Sequence, residues 1–353
     1  MRPSPGAEPR RLGRVVTASL LPLLGGLAML VVGGEILVRG SVRVAERLGV
    51  SPLLIGLTLV GFGTSTPELV TSVQAALVGS PGIAVGNVVG SNIANVLLIL
   101  GLAALVFPVA VQSRALARDG TVVLATAALF ALAGWTVGLS RPVGVAFVAL
   151  LVAYLAYAYR QERVAEATGG GGGDHTAAYD RAEAFEGVDP GLRPRTVAAG
   201  GGPAAWLVPV AMAVGGLAVI VLGGRFLVDG AVGLARAVGL SEEVIGLTIV
   251  AVGTSAPELV TSLVAAVRRQ SEVAVGNVLG SNIYNTLGIG GVTALIAPTP
   301  VPAGIANLDV PVMVAVSALL LVFAWTGRRV SRAEGGVFVA LYVGYVAYLI
   351  AAA

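Results

Sequence analysis

Two long segments of the chain are nearly the same. They read IGLTLVGFGTSTPELVTS at 55–72 and IGLTIVAVGTSAPELVTS at 245–262, and they continue into AVGNVVGSNIAN at 84–95 and AVGNVLGSNIYN at 274–285. Aligning 51–100 with 241–290 gives 29 identities in 50 positions, at a constant offset of 190 residues. An internal repeat of this quality predicts a fold built from two copies of one unit. Each copy places one carboxylate, Glu68 or Glu258, in an otherwise apolar segment.

Composition places the chain in a membrane. Of the 353 residues, 56% are hydrophobic and only 12% are charged, whereas soluble domains carry about 25% charged residues. Apolar runs long enough to cross the hydrocarbon layer, which takes about 20 residues, recur along the sequence. The chain has no cysteine, which excludes disulfides, thiolate metal sites and cysteine nucleophiles.

The apolar runs predict an all-α integral membrane protein with ten transmembrane helices. The predicted spans are 16–38, 51–78, 82–107, 120–139, 142–159, 206–228, 242–267, 272–297, 308–326 and 334–352. Five spans per copy is an odd number, so the second copy enters the membrane from the opposite side. This predicts two inverted-topology repeats, an arrangement common among secondary transporters.

The predicted organisation has four parts, which are an N-terminal tail at 1–15, a first five-helix repeat at 16–159, a linker at 160–205 and a second repeat at 206–353. A five-glycine run and mixed charge predict that the linker is flexible. Fifteen arginines lie on the linker's side of the membrane and six on the other. The positive-inside rule then predicts a multi-pass protein of the cell membrane with a cytoplasmic linker and both termini outside, although the basic N-terminal tail argues the other way.

Spans two and seven are predicted to be broken helices. Gly61, Gly63 and Pro67 interrupt the first copy, and Gly253 and Pro257 stand at matching places in the second. Glycine adds backbone freedom, and proline removes an N–H and clashes with the preceding turn. Backbone carbonyls freed at membrane depth are tolerated where they line a cavity, and paired breaks of this kind are the best sequence pointer to a transporter's central site.

The two glutamates need a partner, because a charged carboxylate at mid-membrane costs about 2.5–3.5 kcal/mol on insertion scales. Spans two, three, seven and eight carry arginine only at their ends, which leaves protonation or a bound cation. Thr64 and Ser65 precede Glu68 by one helical turn, and Asn87, Ser91 and Asn95 recur every four residues. These oxygen donors suit hard ions such as Ca²⁺ and Na⁺, and two glutamates would neutralise one Ca²⁺ or two Na⁺. Elsewhere, the spacing of Glu35 and Arg39 suits an ion pair near the interface.

With GTSTPEL and GNVVGSNIAN in one copy and GTSAPEL and GNVLGSNIYN in the other, the chain resembles the calcium/cation antiporter superfamily, in particular its prokaryotic sodium/calcium exchanger family. The resemblance covers nearly the whole membrane domain. It implies a ten-helix inverted repeat with alternating access and exchange of Na⁺ for Ca²⁺. It also implies cation ligation by Thr64, Ser65, Glu68, Ser91, Asn95, Thr254, Ser255, Glu258, Ser281 and Asn285.

Two positions bear on the coupling ion. Some relatives, including potassium-dependent exchangers and certain prokaryotic members, have Asp where this chain has Asn285. The asparagine therefore argues against potassium co-transport. Proton-coupled relatives usually replace the Thr-Ser pair, so its retention in both copies favours Na⁺ over H⁺.

Three alternatives remain, which are a proton/cation antiporter on the same scaffold, a passive cation channel and an intramembrane hydrolase. The last is disfavoured because no HExxH occurs and the membrane serines lack a base. We therefore expect a transporter and not an enzyme, with Ca²⁺ and Na⁺ as substrates and the lipid bilayer as surroundings. We expect no cofactor, no nucleic acid and no obligate protein partner.

Overall fold

The computed structural model describes residues 7–50, 52–55, 58–59, 61–111, 116–167, 176–189 and 204–352. Residues 1–6 of the predicted tail and two stretches of the predicted linker, 168–175 and 190–203, lie outside the described residues. The predicted flexibility of those linker stretches therefore stays a prediction. The rest of the predicted tail, 7–15, is the first part of a long helix that begins at Ala7.

The first half is helical almost throughout. Its helices are α1 (Ala7–Arg47), α2 (Pro52–Ile55), α3 (Gly61–Gly63), α4 (Thr66–Leu77), α5 (Pro81–Ala94), α6 (Gly101–Val106), α7 (Thr121–Thr136) and α8 (Arg141–Ala167). Segments of π-helix, Asn95–Leu100 and Leu116–Gly120, join α5 to α6 and lead into α7. Strand β1 (Val109–Ala110) follows α6.

The second half repeats this order after a separate helix, α9 (Ala177–Val188). It contains α10 (Ala204–Val238), α11 (Glu242–Ile245), α12 (Ala251–Thr254), α13 (Ala256–Val267), α14 (Ser271–Ile283), α15 (Gly290–Ile296), α16 (Val310–Gly327) and α17 (Arg332–Ala352). The π-helical segments are Gly246–Val250, Tyr284–Ile289 and Ile305–Asp309, and strand β2 is Arg329–Val330.

Several helices have the length and apolar character of membrane spans. Among the described residues seven helices pass this test, or eight if α11 to α13, bent by 51° at a short break, count as one span. The other two predicted spans, 51–78 and 272–297, correspond to α2–α4 and to α14–α15. The protein is therefore a mainly helical, multi-pass membrane protein.

Helices α1 and α10 pack against each other over most of their length. A Cβ added at Gly40 would lie 2.5 Å from the backbone nitrogen of Ala213, and one added at Gly230 would lie 2.5 Å from that of Leu23. Such small residues let two helix backbones approach closely in a membrane. Gly40 and Gly230 are 190 residues apart, so the two helices contact each other through repeat-related surfaces.

The main core lies around α5 and α14, whose residues are almost all buried. Short strand contacts between the halves are part of this core and also follow the repeat. Val109 pairs with Val330 in the β1–β2 ladder, and Leu139 forms an isolated bridge with Thr299. Val109 and Thr299 are 190 residues apart and Leu139 and Val330 are 191 apart, so the two contacts are related by the repeat to within one residue.

Within the predicted linker the structure places helix where the sequence analysis expected flexible chain. Helix α8 continues to Ala167, and α9 packs mainly against α14, with further contacts to α13, α3 and α8. The physical reason is an apolar face, because Ala178, Ala182 and Phe185 follow helical spacing and are buried.

Candidate cation-binding site

The two motif helices are interrupted at equivalent serines. Ser65 and Ser255 are outside helical geometry, with φ/ψ of −87°/9° and −83°/12°. Helices α4 and α13 begin at the next residue, and each has a proline, Pro67 or Pro257, in its first turn. Proline is tolerated there because the first N–H groups of a helix have no intrahelical partner. The breaks lie where the glycines and prolines predict them.

Glu68 and Glu258 lie in the first turn of the helices that follow the breaks, and both are buried. A helix N-terminus carries roughly half a positive charge, so it stabilises a carboxylate in its first turn. Ser255, three residues before Glu258, donates to Glu68 Oε1 at 3.2 Å, so the two acids belong to one region. The fold thus holds two buried acids in one region and stabilises each only in part.

An asparagine on the next helix braces each break. Asn87 Nδ2 donates to the Glu68 carbonyl oxygen at 3.1 Å and to Ser72 Oγ at 2.9 Å. Its repeat-related residue Asn277 donates to the Glu258 carbonyl oxygen at 3.2 Å and to Ser262 Oγ at 2.8 Å. Both asparagines therefore fix the backbone of the glutamate and leave its carboxylate free for other partners.

Further hydrogen bonds join the two repeats. Ser255 Oγ donates to Glu68 Oε1 at 3.2 Å, and Thr254 Oγ1 donates to Asn87 Oδ1 at 3.0 Å. Ser91 Oγ donates to the Ala251 carbonyl oxygen at 3.4 Å. Ser255 of the second repeat thus bonds the carboxylate of Glu68, while Thr254 bonds the asparagine that holds the Glu68 backbone.

A second polar layer lies where α5 and α14 run into their π-helical segments. Asn95 Nδ2 donates to Asn282 Oδ1 at 3.0 Å, and Asn282 Nδ2 donates to the Asn92 carbonyl oxygen at 3.4 Å. Asn95 is the first residue of its π-helical segment, Asn285 is the second residue of the other, and both are buried. This layer of asparagines therefore joins the two repeats, as the hydrogen bonds of Ser255 and Ser91 also do.

Several oxygen atoms of this region have no hydrogen-bond partner within the part of the chain that the structure describes. They are Glu68 Oε2, Glu258 Oε2, Asn95 Oδ1, Ser281 Oγ and Asn285 Oδ1. Leaving a buried polar group unpaired costs about 1–3 kcal/mol, and native structures rarely leave such groups without a reason. All five belong to predicted ligands, and their chemistry fits a hard cation.

An arginine from the predicted linker enters the same region. Arg181 on α9 is completely buried, and its Nη2 lies 3.1 Å from Glu258 Oε1, 3.3 Å from Thr64 Oγ1, and against Ser65 Oγ. Its guanidinium carbon lies 4.8 Å from the centroid of the Tyr284 ring, within the range of a cation–π interaction. Burial lowers the pKa of Arg181, and Glu258 opposes that shift; an arginine nevertheless stays protonated in proteins.

The expectation that no cationic side chain balances the two acids is therefore wrong for Glu258. The four central spans carry arginine only at their ends, but Arg181 reaches the site from α9. Arg181 carries one positive charge against two carboxylates, and Glu68 has Ser255 as its hydrogen-bonding side chain. A further proton or cation is still needed to neutralise the pair.

The structure brings the predicted ligands of the two motif helices together. Nine of the ten predicted site residues are buried, and Thr64 is half-buried. Thr64, Ser65 and Glu258 meet at Arg181, whereas Ser255 meets Glu68. Sequence reasoning missed Arg181, although the spacing of Ala178, Ala182 and Phe185 around it could have predicted an amphipathic helix.

Outside this centre, Arg39 forms an ion pair with Glu35, as the spacing predicted, and also with Asp189 at 2.6 Å. A cavity of about 470 Å³ lies beside them and is lined in part by Thr64, Phe185 and Pro257. The cavity therefore borders both the Thr-Ser turn and α9.

The sequence matches a known family model. The model described as "Sodium/calcium exchanger protein" matches residues 18–160 and 208–351. The two matched regions correspond to the two repeats and leave out the segment that contains α9.

Relatives match over nearly the whole chain. The sodium/calcium exchanger MaX1 of Methanosarcina acetivorans is 36% identical, over 95% of this chain and 99% of the relative. The inner membrane protein YrbG of Escherichia coli is 35% identical, over 93% and 94%. A solved structure of the sodium-calcium exchanger NCX_Mj, soaked with Na⁺ and Sr²⁺, is similar with a TM-score of 0.57 at 32% identity, over 94% of this chain and 98% of that one.

Proposed function

The chain belongs to the sodium/calcium exchanger family, and on that premise we propose that it is a secondary-active antiporter that exchanges Na⁺ for Ca²⁺ across the membrane. Members of this family are transporters, and the similarity to the sodium/calcium exchangers MaX1 and NCX_Mj supports cation/Ca²⁺ antiport. The proposal adds Na⁺ as the driving ion and names the residues that bind the ions.

One observation carries the proposal, which is the set of buried oxygen atoms without hydrogen-bond partners, contributed by both repeats. Glu68 Oε2, Asn95 Oδ1, Glu258 Oε2, Ser281 Oγ and Asn285 Oδ1 belong to this set. A cation among them would replace several unpaired groups by ion–oxygen contacts and would balance the carboxylates. Ligation by these residues, with Thr64, Ser65, Ser91, Thr254 and Ser255, is our proposed site.

Alternating access follows from the proposed architecture of ten helices in two inverted repeats. Repeat-related pairs support it, because each of Gly40 and Gly230 approaches the other long helix and each asparagine braces its own glutamate. A two-fold site between such repeats is open to one face or the other when one repeat moves against its partner. We propose a cytoplasmic position for 160–205 and extracytoplasmic termini from the arginine distribution.

Sodium is proposed as the coupling ion because both Thr-Ser pairs are retained and lie in the site. Hydroxyl groups are neutral oxygen ligands that suit a monovalent hard ion, and Ser255 already donates to Glu68. Two carboxylates can be neutralised by one Ca²⁺ or by two Na⁺, which is the basis for competition at one site.

Flux measurements test the site. In reconstituted vesicles, Glu68→Gln and Glu258→Gln should each abolish Na⁺-gradient-dependent uptake of ⁴⁵Ca²⁺, because neutralising one acid leaves a single charge for a divalent ion. Glu183→Gln is the matched control, since this acid is exposed on α9, and its flux should equal that of the unmodified protein. Near-normal uptake by both site variants would refute the assignment.

A proton/cation antiporter on the same scaffold is the second candidate, because a buried carboxylate can exchange a proton in place of Na⁺. Ca²⁺ flux driven by a pH gradient in Na⁺-free medium would establish it. Ca²⁺ flux that follows an imposed Na⁺ gradient at equal pH on both sides, without K⁺, would support Na⁺ coupling.

A further inference from the structure

Helix α9 is docked tightly although it belongs to neither repeat. A Cβ built on Gly276 of α14 would lie only 2.0 Å from Asp180 Cβ. Helix α9 can therefore approach α14 this closely only because residue 276 has no side chain. Ala178, Ala182 and Phe185 bury its apolar face. Any side chain at Gly276 would conflict with this packing.

Both ends of the α9 segment are fastened. At its start, the Thr176 backbone N–H donates to Glu162 Oε1 at 2.7 Å. At its end, Arg268 Nη1 donates to the Gly187 carbonyl oxygen at 2.8 Å, and Arg39 pairs with Asp189 at 2.6 Å. These contacts tie the segment to α8, α13 and α1.

Arg181 makes contacts that a bound metal ion would make. It places one positive charge against Glu258 and against the hydroxyl oxygens of Thr64 and Ser65. These three oxygens come from both repeats and belong to the proposed ion site. The guanidinium and a cation at the same oxygens exclude each other.

The docked helix also breaks the two-fold pattern. Thr254 donates to Asn87, and Ser91 donates to the Ala251 carbonyl oxygen. In the other half Asn277 Oδ1 and Ser281 Oγ have no partner among the described residues, and Thr64 instead contacts Arg181. The missing bonds are the ones on the side where α9 is docked.

The docking of Arg181 leaves part of its guanidinium unsatisfied. Its Nε and Nη1 atoms are buried without hydrogen-bond partners within the described residues. A buried ion pair whose remaining donors are unsatisfied recovers only part of its desolvation cost. A tether on both sides compensates by keeping the helix at high effective concentration near the site.

We propose that α9 is an autoinhibitory plug, in which Arg181 occupies the cation site until Ca²⁺ or Na⁺ displaces it. The proposal rests on the proposed ion site of the preceding subsection. If only a fraction of the molecules has the plug undocked, the apparent dissociation constant for Ca²⁺ is the intrinsic one divided by that fraction. A plug docked in about 90% of molecules therefore weakens Ca²⁺ binding about tenfold. Removing the guanidinium should recover that factor.

Ca²⁺ binding and flux test the plug in the full-length protein. Arg181→Gln should raise the apparent affinity for ⁴⁵Ca²⁺ in detergent solution, and initial uptake at subsaturating Ca²⁺, by about tenfold. Arg181→Lys keeps the charge, so its Ca²⁺ affinity and uptake should lie between those of the unmodified protein and those of Arg181→Gln. Glu183→Gln on the exposed face should change neither the affinity nor the uptake. Unchanged or weakened Ca²⁺ binding by Arg181→Gln would overturn the plug.

Thiol labelling reads docking independently of transport. The chain has no cysteine, so Ala182→Cys introduces a single thiol on the buried face and Glu183→Cys one on the exposed face. Labelling of Ala182→Cys should be slow, and it should accelerate with added Ca²⁺ or with Arg181→Gln, while Glu183→Cys labels fast throughout. Fast labelling of both from the outset, or no response of Ala182→Cys to Ca²⁺, would contradict the proposal.

The two proposals fail in different ways. If Glu68→Gln and Glu258→Gln both keep near-normal flux, the ion site is wrong. If Glu68→Gln abolishes flux while Arg181→Gln alters neither Ca²⁺ binding nor the labelling of Ala182→Cys, the ion site stands and the plug alone is wrong.

Discussion

Asn87 and Asn277 offer a matched test of how the two halves differ. Both donate to the backbone of their glutamate and to a serine one turn later. Asn87 Oδ1 also accepts from Thr254 at 3.0 Å, whereas Asn277 Oδ1 has no partner among the described residues. Replacing each by alanine removes the same atoms from a buried position, so the difference reports the third hydrogen bond of Asn87 together with the unpaired acceptor of Asn277.

The magnitude follows from hydrogen bonds measured inside membranes. Such bonds contribute about 0.6 kcal/mol on average and at most about 1.7 kcal/mol. Removing Asn277 also removes an unpaired acceptor, which by itself costs about 1–3 kcal/mol. We therefore expect Asn87→Ala to lower the free energy of unfolding more than Asn277→Ala does, by at least about 0.6 kcal/mol and by about 1.6–3.6 kcal/mol if the unpaired acceptor counts in full.

Reversible unfolding in mixed micelles, followed by the fluorescence of the three tryptophans, gives these free energies. Double-mutant cycles then measure the interaction energy between each asparagine and the threonine of the other repeat. Asn87→Ala with Thr254→Val should show a coupling near 0.6 kcal/mol, and Asn277→Ala with Thr64→Val should show almost none. Equal losses for the two asparagines, or equal couplings, would refute the reasoning. In the Arg181→Gln background the second coupling should rise, because Thr64 is then released from α9.

Two further predictions concern glycines at close helix contacts. Gly276→Ala places a Cβ 2.0 Å from Asp180 Cβ, so it should undock α9 and accelerate thiol labelling of Ala182→Cys in the same protein; an unchanged labelling rate would show that α9 adjusts while docked. Gly40→Ala places a Cβ 2.5 Å from the Ala213 nitrogen, and overpacking of this kind costs about 1–3 kcal/mol, so the melting temperature should fall. Gly25→Ala is its control, because nothing lies within 4 Å of the added Cβ, and a similar fall in both variants would contradict the packing argument.

Much of the site could be predicted from the sequence because the relevant signals are local. The repeat offset relates every element of one half to the other, and glycine and proline mark the two breaks through backbone geometry alone. Helical spacing places Ser65 beside Glu68 and Asn87 beside Ser91, and low charge with long apolar runs indicates a membrane protein. The assignment of these residues as ion ligands, and the ten-helix inverted layout, stay predictions.

The sequence by itself determined the repeated unit, its broken helices and the polar residues that they bury, since each depends on neighbours a few positions away. Only the tertiary structure decided which side chains meet, namely Ser255 with Glu68, Thr254 with Asn87, and Arg181 with Glu258. Contacts between residues 77 or more positions apart depend on how whole helices pack, and an arginine in a glycine-flanked, mixed-charge segment gives no local sign that a buried carboxylate will receive it.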